Sequence, residues 1–278
     1  MTSNKKTMTK DVLNKDFSPL KQKKLFLLDM DGTIYLENNL FEGVDNLLKH
    51  ISSNGGKYVF ITNNSSRSVK DYVAKLNKLG LSYVTENDFL TSTQASKVLL
   101  KQKFNSGLIY AQGTKSFISE LKEFGLNITE KFDENAVAVI VGFDTELTSE
   151  KLRNTCEMLT KKDIPYYATN PDWVCPVDFG FIPDCGSMCF GIEKATGKSP
   201  IFIGKPKPQM IYSAMEKFGF SKEETVVIGD RIYTDIASGV NAGVDTVLVL
   251  SGETTLESCK ESEIKPTYVL NHIKEILG

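Results

Sequence analysis

The sequence lacks the features that mark membrane, secreted or nucleic-acid-binding proteins. No apolar run approaches the roughly 18 residues of a membrane-spanning helix, and the first 22 residues, rich in Lys, Thr, Asn and Ser, contain no apolar segment of a secretory signal. The 278 residues carry 33 basic and 35 acidic side chains, for a net charge of −2. Such a balance gives no field suited to a polyanion, so we expect no nucleic acid polymer and no membrane among the partners.

Cysteine and histidine are also scarce. The five cysteines are odd in number and follow no disulfide framework, so reduced thiols and a cytoplasmic location are the simplest interpretation. Cys185 and Cys189 are spaced to share a helix face, but a zinc site needs about four ligands, and His50 and His272 are the two histidines of the chain. No G-x-G-x-x-G joins a strand to a helix, which disfavours an NAD enzyme.

What remains is typical of a globular α/β protein of about two domains, with 41% hydrophobic and 24% charged residues. From Lys24 onward, apolar runs of strand length alternate with segments of helical spacing, which predicts βαβ units and a mostly parallel sheet. The predicted strands are 25–28, 58–61, 89–91, 108–111, 137–141, 166–169, 201–203, 225–228 and 246–250. Residues 170–187, rich in Pro, Asp and Gly, are expected to form a loop, and 1–22 a flexible extension.

Two aspartates, Asp29 and Asp31, directly follow the first predicted strand. Ligands of open α/β sheets bind at the carboxyl ends of the strands. Carboxylates this close repel each other unless they share a cation or a proton, and Mg²⁺ is a hard ion that prefers oxygen ligands. Gly32 allows a tight turn and a close approach of the backbone to a ligand. The alternative is an ordinary solvated turn.

Polar residues also follow the second predicted strand. Thr62 offers a hydroxyl, and Asn63 and Asn64, with the start of the next helix, offer N–H donors to an anion. The alternative is that Asn64, Ser65 or Ser66 merely caps that helix.

Lys205 stands in a stiff segment, Gly-Lys-Pro-Lys-Pro. The two prolines delay the next helix to about Pro208 and fix the direction of Lys205, whose ammonium can neutralise a phosphate. The alternative is a surface lysine in a proline loop.

Asp230 ends another predicted strand, and Asp235 follows it at the start of a helix. Asp230 is placed to supply a third oxygen ligand to a metal. Asp235 is expected to orient the metal ligands, or simply to cap the helix.

In this order, DxDGT, a strand-end Thr, GKPKP and GDRIYTDI resemble the phosphatases of the haloacid dehalogenase (HAD) superfamily. GKPKP and GDRIYTDI are similar to the motifs of the NagD or p-nitrophenylphosphatase-like subfamily, as are YATNPD at 167–172 and DCGS at 184–187. The resemblance covers about 24–252. It implies an α/β fold with a Rossmann-like parallel-sheet core, 23–94 and 198–278, and an inserted α/β C2-type cap, 95–197.

The resemblance also implies a reaction, the hydrolysis of small phosphomonoesters through an aspartyl-phosphate. Asp29 would be the nucleophile, and Asp31 would protonate the leaving alkoxide and then deprotonate water. The implied substrate-binding residues are Gly32, Thr62, Asn63, Asn64 and Lys205. The implied Mg²⁺ ligands are Asp29, the backbone carbonyl of Asp31 and Asp230, with Asp235 behind them.

The cap would exclude water and select the substrate, with 170–187 as the specificity loop. Sugar phosphates, glycerol phosphates and nucleotides remain open as substrates. Pyridoxal phosphate is disfavoured because Cys175 stands where vitamin-B6-phosphate phosphatases of this subfamily have a His. For Trp173, packing within the cap is favoured over stacking on a substrate ring. A homodimer through the cap is left open.

Two alternatives keep the same motifs. A phosphotransferase or mutase would use the same aspartyl-phosphate, and a non-catalytic member of the fold would bind phosphate without turnover. The second is disfavoured because Asp29, Asp31, Thr62, Lys205 and Asp230 are all present.

Overall fold

The computed structural model describes residues 9–177 and 179–277. The strands are β1 (Leu25–Leu28), β2 (Tyr35–Leu36), β3 (Asn39–Leu40), β4 (Lys57–Thr62), β5 (Phe89–Thr91), β6 (Leu108–Gln112), β7 (Asn127–Thr129), β8 (Ala136–Val141), β9 (Tyr166–Ala168), β10 (Val174–Val177), β11 (Gly180–Pro183), β12 (Ile201–Phe202), β13 (Thr225–Gly229), β14 (Asp245–Val249) and β15 (Tyr268–Leu270). The prediction of strands alternating with helices is confirmed.

The helices are α1 (Val44–Ser53), α2 (Val69–Lys78), α3 (Ser92–Phe104), α4 (Lys115–Glu123), α5 (Ser149–Lys161), α6 (Cys185–Thr196), α7 (Gln209–Phe218), α8 (Ala237–Ala242) and α9 (Leu256–Glu261). Short 3₁₀ helices cover Ser18–Gln22, Glu86–Asp88 and Ile273–Leu277, and a π-helix covers Ile232–Ile236. Among the helices of the described residues, none has the length and the apolar run that crossing a bilayer requires.

The chain forms two compact units, one made of the residues up to Ile61 and from Pro206 onward, the other of Thr62–Lys205. In the first unit, parallel strands are hydrogen-bonded in the order β15-β14-β13-β1-β4. Leu28 of β1 lies opposite Ile228 of β13. Every residue of β1 and β13 is buried, as expected for strands covered on both faces, and this arrangement brings the carboxyl ends of the two strands side by side.

In the second unit, parallel strands follow the order β12-β9-β8-β6-β7. Alternate residues of β8 serve opposite faces of this sheet, because successive strand side chains point to opposite sides. Val139 and Val141 belong to one apolar cluster with Met158 of α5, whereas Ala138 and Ile140 belong to another. The predicted α/β fold with parallel sheets is therefore confirmed. The proposed cap, 95–197, lies within this unit, and its boundaries stay a prediction.

The prediction that 170–187 is a loop is wrong for most of that segment. β10 and β11 form an antiparallel hairpin, in which Cys175 lies opposite Ile182 and Pro176 opposite Phe181, and α6 begins at Cys185. The two strands were missed because they contain Pro176 and Pro183. Proline has no N–H to donate to a β-ladder, so its presence argues against a central strand. An isolated two-stranded ribbon tolerates it at the edge.

The N-terminal extension is not loose where it is described. Phe17 and Leu20 are buried, the Val12 N–H donates to the Val269 carbonyl (2.9 Å), and the Val269 N–H donates to the Asp11 carboxylate (2.9 Å). The expectation of a flexible extension is thus wrong for residues 9–22, because two apolar side chains and a backbone pairing with β15 hold the segment. Residues 1–8 of that extension lie outside the described residues.

Candidate active site

Three buried carboxylates, those of Asp29, Asp230 and Asp235, form a cluster in the first unit. Each offers an oxygen atom, and these atoms lie within 4.8 Å of one another. Asp29, with 8% of its surface exposed, is the most accessible of the three. The sequence predicted Asp29 and Asp230 as metal ligands and Asp235 as a residue behind them, and the structure brings all three together.

The sheet topology explains the meeting of Asp29 and Asp230, because each residue directly follows one of the neighbouring strands β1 and β13. Asp235 arrives from the π-helix, where its Oδ2 accepts the Arg231 N–H at 3.0 Å. A Cβ at Gly229 would lie 2.3 Å from the Asp235 Cβ, so only glycine permits this approach. Asp235 therefore satisfies a backbone donor at the start of its helix and also joins the cluster.

Two further glycines leave room for the Asp230 carboxylate. A Cβ at Gly32, whose φ is +82°, would lie 2.6 Å from Asp230 Oδ2, and a Cβ at Gly252 would lie 2.0 Å from the same atom. The Glu253 N–H donates to that oxygen at 2.7 Å. Gly252 and Glu253 were missed from the sequence, where the only signal is a Ser-Gly-Glu turn shortly after β14.

The cluster concentrates negative charge in a buried place. Burial, and next the neighbouring Asp29, raise the pKa of Asp230 well above its usual range, while Arg231 opposes the shift. Buried carboxylates that repel one another are stabilised by a cation, and an all-oxygen ligand set suits a hard ion such as Mg²⁺. The residues present therefore fit the magnesium site that the motifs imply.

A thiol metal site finds no such support. Cys185 and Cys189 do share a face of α6, with their Sγ atoms 3.9 Å apart and both side chains buried. Burial raises the pKa of the Cys185 thiol well above its usual range, which disfavours the thiolate that a metal requires. Within 9–177 and 179–277, no second group of three His, Cys, Asp or Glu side chains lies as close as the aspartate cluster.

Asp31 stands apart from the carboxylate cluster. It is half-buried and begins a turn in which the Gly32 N–H donates to the Tyr35 carbonyl and the Ile34 N–H to the Met30 carbonyl, both at 2.9 Å. The motif assigns only its backbone carbonyl to the metal and leaves the carboxyl for proton transfer. A carboxyl outside the cluster is compatible with that division.

The second unit holds the predicted phosphate-binding residues Thr62, Asn63 and Lys205, all buried. Lys205 is only 2% exposed, so the alternative of a surface lysine is wrong. The side-chain oxygen of Asn63 accepts the Lys205 N–H at 2.8 Å, and its Nδ2 donates to the Lys205 carbonyl at 3.0 Å. The side-chain amide of Asn63 is therefore hydrogen-bonded within the protein, and its backbone N–H is the group that could donate to an anion.

The alternative that Asn64, Ser65 or Ser66 caps the next helix is also wrong. The cap of α2 is Ser68, which forms a reciprocal capping box with Asp71. Asn64 instead closes a local turn, since its Oδ1 accepts the Ser66 N–H at 3.0 Å.

Trp173 and Cys175 lie at the hairpin of the second unit. Trp173 packs edge-on against Phe190, with ring centroids 5.9 Å apart, as the packing interpretation expects, although 52% of its surface is exposed. Cys175 is half-buried in β10, against the apolar cluster that contains Met158.

Comparison with known proteins identifies the family. Residues 26–127 match the family model of the haloacid dehalogenase-like hydrolases, and residues 202–276 match a second, HAD-like hydrolase model. The acid sugar phosphatase of Staphylococcus aureus (strain MRSA252) is 32% identical over 93% of this chain and 98% of its own. This chain belongs to the haloacid dehalogenase-like hydrolases. The predicted membership is thereby confirmed.

Solved structures of HAD phosphatases share its fold. The 4-nitrophenylphosphatase of Thermotoga maritima is 38% identical, with a TM-score of 0.86, over 93% of this chain and 98% of that one. The glycerol phosphate phosphatase of Mycobacterium tuberculosis, in complex with magnesium, is 27% identical, with a TM-score of 0.84, over 93% and 78%. The chain is accordingly an enzyme, a phosphatase of the HAD type.

Proposed function

We propose that this HAD phosphatase is Mg²⁺-dependent and hydrolyses the phosphomonoesters of small metabolites through an aspartyl-phosphate. The observation that carries the proposal is the buried cluster of Asp29, Asp230 and Asp235. Asp29 is the most exposed of these three residues, and it is the one that the motif designates as the nucleophile. A small substrate, with no nucleic acid or membrane partner, agrees with the near-neutral charge of the chain.

The metal would be held by the carboxylates of Asp29 and Asp230 and by the backbone carbonyl of Asp31, with Asp235 supporting them. When bound, Mg²⁺ supplies positive charge that lets an anionic carboxylate face an anionic phosphate. The magnesium complex of the mycobacterial relative supports this assignment.

The protein groups perform the two halves of the reaction. The Asp29 carboxylate attacks phosphorus, and the bond to the substrate's alcohol oxygen breaks while the Asp31 carboxyl gives that oxygen a proton. Asp31, now ionised, takes a proton from water, which attacks the aspartyl-phosphate, releases inorganic phosphate and restores both aspartates. Thr62, the Asn63 backbone and Lys205 would bind the phosphoryl oxygens and stabilise the charge that develops there.

Sugar phosphates and related polyol phosphates are the proposed substrates. The names of two relatives, an acid sugar phosphatase and a glycerol phosphate phosphatase, support this class. Nucleotides are the alternative substrate class. The β10–β11 hairpin would select among them, together with Asn64 and with Gly32, whose turn lets the backbone approach a ligand.

A phosphomonoester panel tests the proposal. It contains p-nitrophenyl phosphate, hexose and pentose phosphates, glycerol phosphate, nucleoside monophosphates and pyridoxal phosphate, each assayed with Mg²⁺ and with a chelator. We expect Mg²⁺-dependent release of phosphate from the sugar and polyol esters, and its loss in Asp29→Asn. Absence of turnover across the panel would refute the proposal, and transfer to an added sugar exceeding transfer to water would favour a phosphotransferase instead.

A further inference from the structure

A buried chain of hydrogen bonds joins the two ends of the second unit. Thr62 begins this unit and Lys205 ends it, and the side-chain amide of Asn63 bonds both the N–H and the carbonyl of Lys205. The same Asn63 Nδ2 donates to Asp172 Oδ2 at 2.7 Å. Three segments far apart in the sequence are thus tied together at one amide group.

The surroundings of this amide are tightly packed. A Cβ at Gly204 would lie 2.3 Å from Asn63 Oδ1 and 2.8 Å from the Thr169 carbonyl. Asn63, Asp172 and Lys205 are all buried. Removing one partner of a buried hydrogen bond destabilises the folded protein, because no water replaces the lost partner. The orientation of the Asn63 amide, and with it the Lys205 backbone, is therefore strongly dependent on Asp172.

The chain of bonds continues to the base of the hairpin. Asn170 Nδ2 donates to Asp172 Oδ2 at 2.6 Å and to Asp184 Oδ1 at 3.0 Å. Asp172 precedes β10, whereas Asp184 follows β11 and caps α6 through the Cys185 N–H. The segment 170–187 is thereby connected to Lys205 without a gap.

We propose that Asp172 is a positioning residue for Lys205. By holding the Asn63 amide in one orientation, it fixes the backbone of Lys205 and so the point from which the ammonium reaches a phosphate. The role rests on the proposed function, in which Lys205 binds the phosphoryl group. Asp172 itself touches neither substrate nor metal in this assignment.

The sharpest test replaces Asp172 by an apolar residue of similar size, Asp172→Leu. Simple electrostatics predicts tighter binding of an anion once a negative charge is removed. The positioning role predicts the opposite, an increase of about tenfold in the inhibition constant of inorganic phosphate. Any fall in kcat should be no larger than this loss of phosphate binding. Asp172→Asn, whose amide oxygen can still accept both Asn63 and Asn170, should stay close to wild type.

Asp144→Leu is the matched control. Asp144 is equally buried and lies in the same unit, but its carboxylate pairs with Lys151 at 2.9 Å and accepts the Glu146 N–H at 3.0 Å, so it belongs to a different group of hydrogen bonds. It should lower the melting temperature and leave the inhibition constant of phosphate unchanged.

Asp172→Ala covers the case in which Asp172→Leu does not fold, because the smaller side chain cannot clash with its neighbours. It removes the acceptor of both the Asn63 Nδ2 and the Asn170 Nδ2, so we expect the inhibition constant of phosphate to rise as in Asp172→Leu. A folded Asp172→Ala with an unchanged inhibition constant would count against the proposal.

Amide exchange of the Lys205 N–H separates this proposal from the proposed function. Exchange should be slow in the wild type and faster in Asp172→Leu, whether or not the protein hydrolyses phosphomonoesters. If turnover and phosphate binding are normal in a folded Asp172→Leu and exchange is unchanged, Asp172 has no positioning role while the phosphatase assignment stands. If the wild type shows no turnover, the proposed function fails and the exchange result alone decides the role of Asp172.

Discussion

At the scale of single residues, the sequence predicted those whose position follows from a strand end. Asp29 and Asp230 were found because polar residues after buried parallel strands meet at one edge of a sheet. The need for glycine at position 252 escaped, because it arises from a contact with Asp230, 22 positions earlier in the chain. The hydrogen bond between the Asn63 side chain and Lys205 was not predicted for the same reason, since no local pattern encodes a contact between residues 142 positions apart.

Removing one carboxylate of the cluster should stabilise the metal-free protein. Asp230→Asn relieves the repulsion within the cluster, so its melting temperature in a chelator should exceed that of the wild type. Added Mg²⁺ should stabilise the wild type, by about 2.7 kcal/mol at a hundred times the dissociation constant, and should do little to the variant. Thermal unfolding with and without Mg²⁺ measures both effects, and an equal Mg²⁺ shift in the two proteins would contradict the assignment of Asp230.

Gly252→Ala should disable the site although it replaces none of the proposed metal ligands. The new Cβ would lie 2.0 Å from Asp230 Oδ2, so the carboxylate or the turn must move, at a cost of about 1–3 kcal/mol, and activity should fall at least about tenfold. Steady-state kinetics and thermal unfolding report the two losses.

Gly191→Ala is the control, because its Cβ meets nothing within 4 Å on helix α6. It should be neutral or slightly stabilising, as alanine favours a helix by up to about 1 kcal/mol over glycine. A similar loss of activity in both alanine variants would show that crowding at Asp230 is not the cause.

At the scale of elements, hydrophobic periodicity placed the longer strands well. It missed β2, β3, β7 and β15, because two or three residues are too few to show a period, and it missed the hairpin that contains proline. β1 and β5 have the predicted bounds, and α7 starts just after Pro208 as expected. The β10–β11 hairpin was missed because Pro176 interrupts the alternation. The π-helix at Ile232–Ile236 was also missed, since a segment of five residues is too short for apolar spacing to distinguish a π-helix from an α-helix.

The hairpin residue Trp173 should behave as a packing residue. Its edge-on contact with Phe190 predicts that Trp173→Ala lowers stability by about 0.5–1.5 kcal/mol and leaves KM for sugar phosphates within about twofold. Thermal unfolding and KM values for two substrates of different size decide the matter. A large rise in KM for the larger substrate alone would show stacking on the substrate instead.

At the scale of the whole molecule, the sequence predicted the family and the α/β class, because four motifs in a fixed order carry them. It failed at the N-terminal segment, where composition suggested a loose extension. Val12 packs beside Val269 and Ile236 of the first unit, and a contact that spans almost the entire chain cannot be inferred from the composition of either end. The sequence left a homodimer through the cap open, and sedimentation velocity tests it.

The N-terminal segment should contribute strongly to stability. Phe17 is 1% exposed, whereas Leu13 in the same segment is 49% exposed. Phe17→Ala should therefore destabilise the protein by about 3–5 kcal/mol, and Leu13→Ala by less than about 0.5 kcal/mol. Denaturant unfolding of both variants measures the difference, and equal small effects would mean that the segment is not part of the cooperative fold.

The carboxylate cluster draws its members from both ends of the polypeptide, with Asp29 supplied early and Asp230 and Asp235 some 200 residues later. During synthesis on the ribosome, β1 emerges long before its neighbour β13. A nascent or prematurely terminated chain that ends before β13 carries Asp29, the proposed nucleophile, but not Asp230 and Asp235, which complete the proposed metal site. Under the proposed function, hydrolytic activity is therefore expected only once translation is nearly finished. The same delay leaves one edge of the buried strand β1 unpaired during synthesis, and unpaired strand edges favour misassembly.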